Sequence, residues 1–512
     1  MADTNKITAQ QLKSIIDSAR KIMRKDKGLN GDLDRLPMLT WIMFLKLLDD
    51  MDRVSEDEAL LSGEKYEPAI DYPYRWRDWA SMEDGITGDE LINFINLEKT
   101  ILPDGTEGLG LLAYLKGLNH DGKSRRDVIG NIFSGTVNRM INGYLLRDVI
   151  NKVNGIHFDS TEELNLLGTI YETMLKEMRD AAGDSGEFYT PRPVVKFMVN
   201  MIDPKLGETI LDPACGTGGF LTESYLHLSK LCKTVEDFEI VQQKSILGQE
   251  AKPLPYLLVQ MNLILHGLEY PQVIFGNTLE RKISEIGDNE RVDIVLTNPP
   301  FGGEEEEGIK ANFPADMQTA ETALLFLQYI LRKLKKFDGT HYGRAAVVVP
   351  DGFLFGTGVC ERIKEILVEK LNLHTLVRLP FGVFEPYTPI RSNILFFENR
   401  PNPNGGTWFY EVPIADGRKK YSKTKPILFS EFKDCISWWN DRSENEHAWF
   451  VNNEELKKRH YDFAIKNPNA IKLVDSRNVK EVYASIKDAS NNIASIIDEI
   501  ASIIGGNHDG NL

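Results

Sequence analysis

From Thr161 onward short apolar runs alternate with helical patterns, and this rhythm constrains the fold more than any other feature of the chain. Seven runs read as strands, at 209–211, 245–249, 272–275, 292–297, 345–349, 375–379 and 393–397. Helical patterns at 253–266, 319–337 and 359–370 separate most of them. Strands joined through helices pair in parallel, so the expected fold is α/β, an open doubly wound sheet with helices on both faces. The last two runs have no helix between them, which fits an antiparallel closing strand. Before residue 150 the chain reads as mainly helical. Leu12, Ile15, Ile16, Ala19, Ile22 and Met23 follow helical spacing, 36–54 is a second and more buried helix, and loops such as Tyr72-Pro73-Tyr74-Arg75-Trp76 interrupt the remainder. A helix at 164–178 precedes the loop that ends at Thr190-Pro191. There threonine is the expected N-cap and proline the first helical residue. The domain boundaries expected are 1–155 (helical, for interaction), 156–470 (the sheet) and 471–512 (a C-terminal helix).

The 512 residues exceed one ordinary domain of ~100–200 residues. The nearest approach to a membrane-length apolar run, 36–48, is broken by Thr40 and Lys46 and falls short of the ~20 residues required. Without a charged-then-apolar leader, a cytoplasmic protein is expected. Cys215, Cys232, Cys360 and Cys435 are scattered, so neither a disulfide framework nor a zinc cage is indicated and no metal is expected. The net charge of −16 argues against a free-standing nucleic-acid binder, because phosphate contacts need a basic surface. If the chain works on DNA, another subunit must supply much of the grip. The basic patch Arg418, Lys419, Lys420, Lys423 and Lys425 reads either as a DNA contact or as a solvated loop. The run Glu304–Glu307 is expected to be a solvated, mobile loop, since consecutive carboxylates do not converge on one ion.

Asn298-Pro299-Pro300-Phe301 closes the apolar run 292–297, at the strand end where functional loops of parallel sheets sit. Two prolines stiffen the loop and present carbonyls without competing N–H groups. The Asn298 side-chain oxygen and the Pro299 carbonyl can then accept from one –NH2 group, and Phe301 offers a face to a flat ring. That pattern fits a planar amine such as adenine N6; a rigid surface turn is the plain alternative.

The first strand runs into Asp212-Pro213-Ala214-Cys215-Gly216-Thr217-Gly218-Gly219-Phe220. Its glycines are crowded as G-x-G-G after an acid, unlike the G-x-G-x-x-G of dinucleotide folds. Asp212 would repel a pyrophosphate and welcome an ammonium, while the helix start favours an anion. The methionine part of S-adenosylmethionine satisfies both. Cys215 reads as a small filler. Glu250, after the second strand, stands where an acid holds ribose hydroxyls. Asn277, in a glycine-flanked turn after the third, is a candidate for the cofactor's adenine or a turn former. The loop Phe188-Tyr189-Thr190-Pro191 is either an aromatic cover for the cofactor or a capped helix start.

With these pieces assembled, the chain resembles the modification (methyltransferase) subunit of type I DNA restriction-modification systems. The matching stretches are GEFYTPRP at 186–193, DPACGTGGF at 212–220, GQE at 248–250, NPPFG at 298–302, VVVPDGFLF at 347–355 and RLPFGVFEPYTPIRSNILFF at 378–397. The resemblance implies a seven-stranded methyltransferase sheet and an adenine-N6 DNA methyltransferase that uses S-adenosylmethionine on double-stranded DNA. It implies a separate specificity subunit, with two copies of this chain on each, and a motor-nuclease subunit for cleavage. By motif position it assigns cofactor contact to Glu187, Phe188, Tyr189, Thr190, Pro191, Arg192, Thr217, Gly218, Gly219 and Glu250. Adenine methyltransferases often carry aspartate where Asn277 stands. Two other functions stay open: a protein glutamine-N5 methyltransferase, which usually has tyrosine at the Phe301 position, and a non-catalytic assembly subunit. At the C-terminus Val479, Val482, Ile486, Ala489, Ile493, Ile496, Ile500 and Ile503 follow the 3.5-residue period of a coiled-coil seam, expected to grip the specificity subunit or to pack on this chain.

Overall fold

The computed structural model describes residues 8–63, 65–118, 124–156, 190–385, 388–414, 418–422, 424–470 and 479–505. Nine strands form the main sheet: β3 Ile210–Asp212, β4 Ile246–Glu250, β5 Gln272–Phe275, β6 Ile294–Thr297, β7 Arg344–Pro350, β8 Asn372–Arg378, β9 Ser392–Glu398, β10 Gly406–Glu411 and β11 Ala448–Asn452. Their order is β11-β10-β8-β9-β7-β6-β3-β4-β5. The seven expected strands are all present, 272–275 with the expected bounds and the others with shifted ends, and β9 runs antiparallel between β7 and β8. Two further strands extend the sheet: β10 is parallel to β8, and β11 is antiparallel to β10. Phe409 and Trp449 stack across that added pair at 5.4 Å.

The central strands β6, β7 and β9 read as near-continuous apolar runs because helices cover both faces. Side chains alternate between two cores with the two-residue period of a strand. Ile210, Ile294, Leu296, Ala346 and Val348 join the helices Arg192–Ile202 and Gly219–Ser229 on one face. Leu211, Val295, Ala345, Val347 and Val349 join Thr322–Lys333 and Val359–Glu365 on the other. From β3 the chain proceeds outward to β4 and β5, then returns to place β6 on the opposite side of β3. The crevice beyond the carboxyl ends of β3 and β6 is therefore the topological switch point, where open α/β sheets bind ligands.

The N-terminal region is helical as expected, with Ala9–Met23 and the long helix Asp32–Ser62 burying one shared core. Inside that long helix the Lys46 ammonium is buried against the Asp50 carboxylate. A small hairpin, β1 Lys99–Ile101 with β2 Glu107–Leu109, turns through Pro103-Asp104-Gly105. The helix Pro253–Leu265 has two partners. Tyr256, Val259 and Leu263 face the sheet, while Leu257, Leu258, Met261, Ile264 and Leu265 complete the N-terminal core. A helix apolar on every side is buried on every side.

Residues 468–512 form a second unit, separate from 1–467. Its helix Val479–Gly505 leaves Ile486, Ile493, Ile496 and Ile500 of the expected stripe exposed. Among the described residues no helix is long and apolar enough to cross a membrane.

One helix start differs from expectation. Pro191, not Thr190, is the N-cap, its carbonyl accepting from Val194 and Val195 N–H, and Pro193 falls in the first turn of Arg192–Ile202. A missing N–H costs nothing there, because the first turn has no internal acceptor for it. The 164–178 helix lies outside the described residues.

Candidate active site

Glycines shape the loop after β3. Gly216 and Gly218 hold left-handed φ values of 54° and 81°, and Gly218 is the N-cap of Gly219–Ser229. Gly216 N–H donates to Glu250 Oε2 at 2.9 Å and Lys252 N–H to Oε1 at 2.8 Å, so one carboxylate ties the β3 loop to the β4 loop. Burial raises the Glu250 pKa against the pull of these backbone donors. The Thr217 carbonyl accepts from Asn262 Nδ2 at 2.8 Å, and Gly218 packs on Val259, so the doubly buried helix braces the loop from behind.

Asp212 is only 2% exposed. Its Oδ1 accepts from Thr297 Oγ1 at 2.7 Å and from Ala214 N–H at 3.1 Å. Burial, reinforced by the Glu250 charge, pushes its pKa up to about 7 against those two hydrogen bonds. The carboxyl thus clasps β3 to β6 beneath the cavity and is not on its wall. Burial raises the Cys215 thiol well above its ordinary range, in keeping with a filler and not a nucleophile.

A cavity of about 240 Å³ opens at the switch point, lined by Gly216, Glu250, Asn277, Asn298, Pro300 and Phe326, among others. It brings together four separate expected segments, at the ends of β3, β4, β5 and β6. Asn298 Oδ1 is buried and has no hydrogen-bond donor among the described residues. Asn277 uses its Oδ1 to cap its own turn at Leu279 N–H, 3.0 Å away. Pro299 is buried, and Phe301, off the cavity wall, lies edge-on to Phe384 with ring centres 6.2 Å apart. Thr217, Gly218 and Gly219 form the loop behind the wall. Thr190, Pro191 and Arg192 do not line this cavity either; Arg192 donates to the Gly219 carbonyl at 2.9 Å, and burial lowers its pKa to about 10. Glu187, Phe188 and Tyr189 lie outside the described residues.

The acidic run after Phe301 is not the free loop its composition implies. Glu305 N–H donates to the Ala320 carbonyl at 2.9 Å, Thr322 N–H to the Gly303 carbonyl at 3.4 Å, and Glu304 bridges Glu321. Glu304, Glu305 and Thr322 consequently line the cavity, as does Lys252. Sequence reasoning missed all four. The visible signal was Gly302-Gly303, which lets the chain double back at once. In the basic patch Arg418 pairs with Glu431 at 3.4 Å and Lys420 with Glu385 at 2.8 Å, so part of it is internally neutralised, while Lys423 lies outside the described residues.

A glycine loop and an Asn-Pro-Pro-Phe loop facing each other across the switch point define a DNA methyltransferase of the adenine-N6 kind. The chain belongs to the N-6 DNA methylase family, whose model matches residues 162–476, and within it to the methylase subunits of type I restriction-modification systems. The model described as HsdM N-terminal domain matches residues 12–153. The chain is 46% identical to the type I restriction enzyme EcoEI methylase subunit of Escherichia coli over 511 residues, 98% of this chain and 99% of that protein. It superposes with a TM-score of 0.85, at 59% identity, on a chain described as a modification subunit of a type I restriction enzyme from Vibrio vulnificus YJ016, covering 93% of this chain and all of that one. A subunit from a structure on complex assembly and conformational transition of the type I R-M system matches with a TM-score of 0.76 and 38% identity, over 98% of this chain and 100% of the other.

Proposed function

We propose that the cavity binds S-adenosylmethionine and that the chain methylates N6 of an adenine rotated out of double-stranded DNA. The observation that carries this reading is Asn298 Oδ1, a buried acceptor without a donor among the described residues, in the same cavity as Gly216 and Glu250. An orphaned acceptor of this kind calls for a ligand N–H. With the Pro299 carbonyl as second acceptor, Asn298 holds both N–H bonds of the amine and turns its lone pair out of conjugation with the ring. Phe301 stacks on the base, which must leave the duplex to reach the cavity. Glu250 gives one lone pair of each oxygen to a backbone N–H and keeps the others for ribose hydroxyls. Asn277, its oxygen engaged, has its amide nitrogen left for the cofactor's adenine. Gly216, Thr217, Gly218 and Gly219, with Asp212 beneath them, shape the floor under the methionine part. Glu187, Phe188, Tyr189, Thr190, Pro191 and Arg192 are assigned to its cover by motif position alone. When bound, the cofactor would supply a methyl group on cationic sulfur for the amine nitrogen held by Asn298 and Pro299, and the proton displaced from the amine would pass to water. The rate gain rests on alignment and on acceptors fixed in advance.

The −16 charge supports delegation of sequence reading to a separate specificity subunit, with two copies of this chain on each and a motor-nuclease subunit completing a cytoplasmic assembly. In this division of labour residues 1–155 serve interaction, 156–470 the chemistry, and 471–512 the grip on the specificity subunit. The exposed isoleucines of Val479–Gly505 support that last role, since a lone helix cannot bury its own seam.

The rival acceptor is a protein glutamine amide. Incubating the chain and its co-expressed specificity subunit with methyl-labelled S-adenosylmethionine, with duplex DNA or with protein as acceptor, separates the two. Label in DNA supports the proposal, and label in protein alone rejects it.

A further inference from the structure

Among the described residues, the charged ones that line the cavity are Glu250, Glu304 and Glu305 against Lys252. The first is buried and belongs to the β4 loop. The other two come from the acidic run, whose backbone is held by the pairing of 303–305 with 320–322, and Glu305 Oε1 also accepts from Thr322 Oγ1 at 3.1 Å. Glu306 and Glu307, the other half of the run, are not on the wall, and Glu307 instead pairs with Lys310 at 2.8 Å. The buried, donorless Asn298 Oδ1 marks the same cavity independently as a place for a ligand.

Building on the methyl-donor reading above, we infer that Glu304 and Glu305 make the cavity select the charged donor over its spent product. The donor and the product share one ammonium and one carboxylate. They differ by a single positive charge, the sulfonium, which disappears when the methyl group leaves. A wall whose described residues carry two more carboxylates than ammonium groups therefore attracts the donor and has no corresponding hold on the product. The acids act on the ligand's charge and not on its shape, and they favour product release after each turnover. Because Glu304 is exposed to solvent, its share of the effect is screened and sensitive to salt.

Calorimetric titration of the full chain with S-adenosylmethionine and separately with S-adenosylhomocysteine tests this. Glu305→Gln keeps an oxygen for Thr322, so the wall retains its shape as its charge is removed. In the double variant Glu304→Gln/Glu305→Gln the affinity ratio of donor to product is expected to fall about three- to tenfold, the size of one or two partly screened charge interactions. Product affinity should stay within about twofold of the parent. Glu306→Gln should leave the ratio unchanged, and raising salt should compress it in the parent and not in the double variant. An unchanged ratio in the double variant overturns the inference, and so does an equal loss of both ligands, which would give these residues a shape role. Failure of both ligands to bind the parent would instead reject the donor reading on which the inference rests.

Discussion

Thr297 Oγ1 donates a 2.7 Å hydrogen bond to Asp212 Oδ1, joining the last residue of β6 to the last residue of β3. The cofactor loop and the Asn-Pro-Pro-Phe loop leave the sheet from these two ends, so this buried bond carries the β3–β6 pairing to the point where the loops part. Thr297→Val keeps the volume and removes the donor. Leaving a buried acceptor short of a partner costs about 1–3 kcal/mol, which thermal melting would register. Methyl transfer should fall by more than cofactor affinity does, because the spacing between loops changes while each loop survives.

The same carboxyl makes stability depend on pH in an unusual direction. Asp212 has a native pKa near 7, above its ordinary value of 3.8, so between these values the native state holds a proton that the unfolded chain releases. The contribution is complete below about pH 4 and is lost as pH rises through 7. Asp212→Asn, which preserves both acceptor contacts, should flatten the melting profile between about pH 4 and 7. It should also raise the stability of the ligand-free chain at about pH 8, by on the order of 2 kcal/mol. A variant profile as steep as the parent's would assign the slope to another group.

Gly218 is constrained by its neighbour as much as by any ligand. With φ at 81° and an added Cβ only 2.5 Å from Val259 Cγ2, even Gly218→Ala should cost about 1–3 kcal/mol, and Gly218→Asp more. Calorimetry on such variants reports on cofactor contact only if melting is measured alongside. Unchanged melting in Gly218→Ala would contradict the packing geometry.

The strand positions were legible because the runs are short, largely apolar and separated by helical patterns, and the switch-point crevice followed once β6 was known to lie beside β3. Asn298, Gly216 and Glu250 therefore converge where their strand ends predict. What stayed illegible depends on distant partners. The helix Pro253–Leu265 is apolar all round, which announces burial but not that its second face completes the N-terminal core. Nothing near Asp212 in the sequence reveals that its charge is spent on Thr297. Glu304 and Glu305 read as solvated because composition cannot show that 303–305 will pair with 320–322. Phe326 occupies an ordinary core position of its helix, and only the fold turns it toward the cavity.

Deleting residues 476–512 should leave a folded chain that binds cofactor, since these residues lie within a unit separate from 1–467. The truncated chain should no longer co-purify with its specificity subunit. Retained co-purification would move the interface to the helical N-terminal region, and loss of folding would mean that the apolar seam packs on this chain.

The central claim is that the donorless Asn298 oxygen awaits the target amine, and Asn298→Ala tests it most directly. Single-turnover methyl transfer to duplex DNA should be measured with the specificity subunit present, and S-adenosylmethionine affinity by calorimetry on the same preparation. The rate should fall about 10²–10³-fold, with cofactor affinity within about twofold of the parent. Transfer within a few-fold of the parent would contradict it.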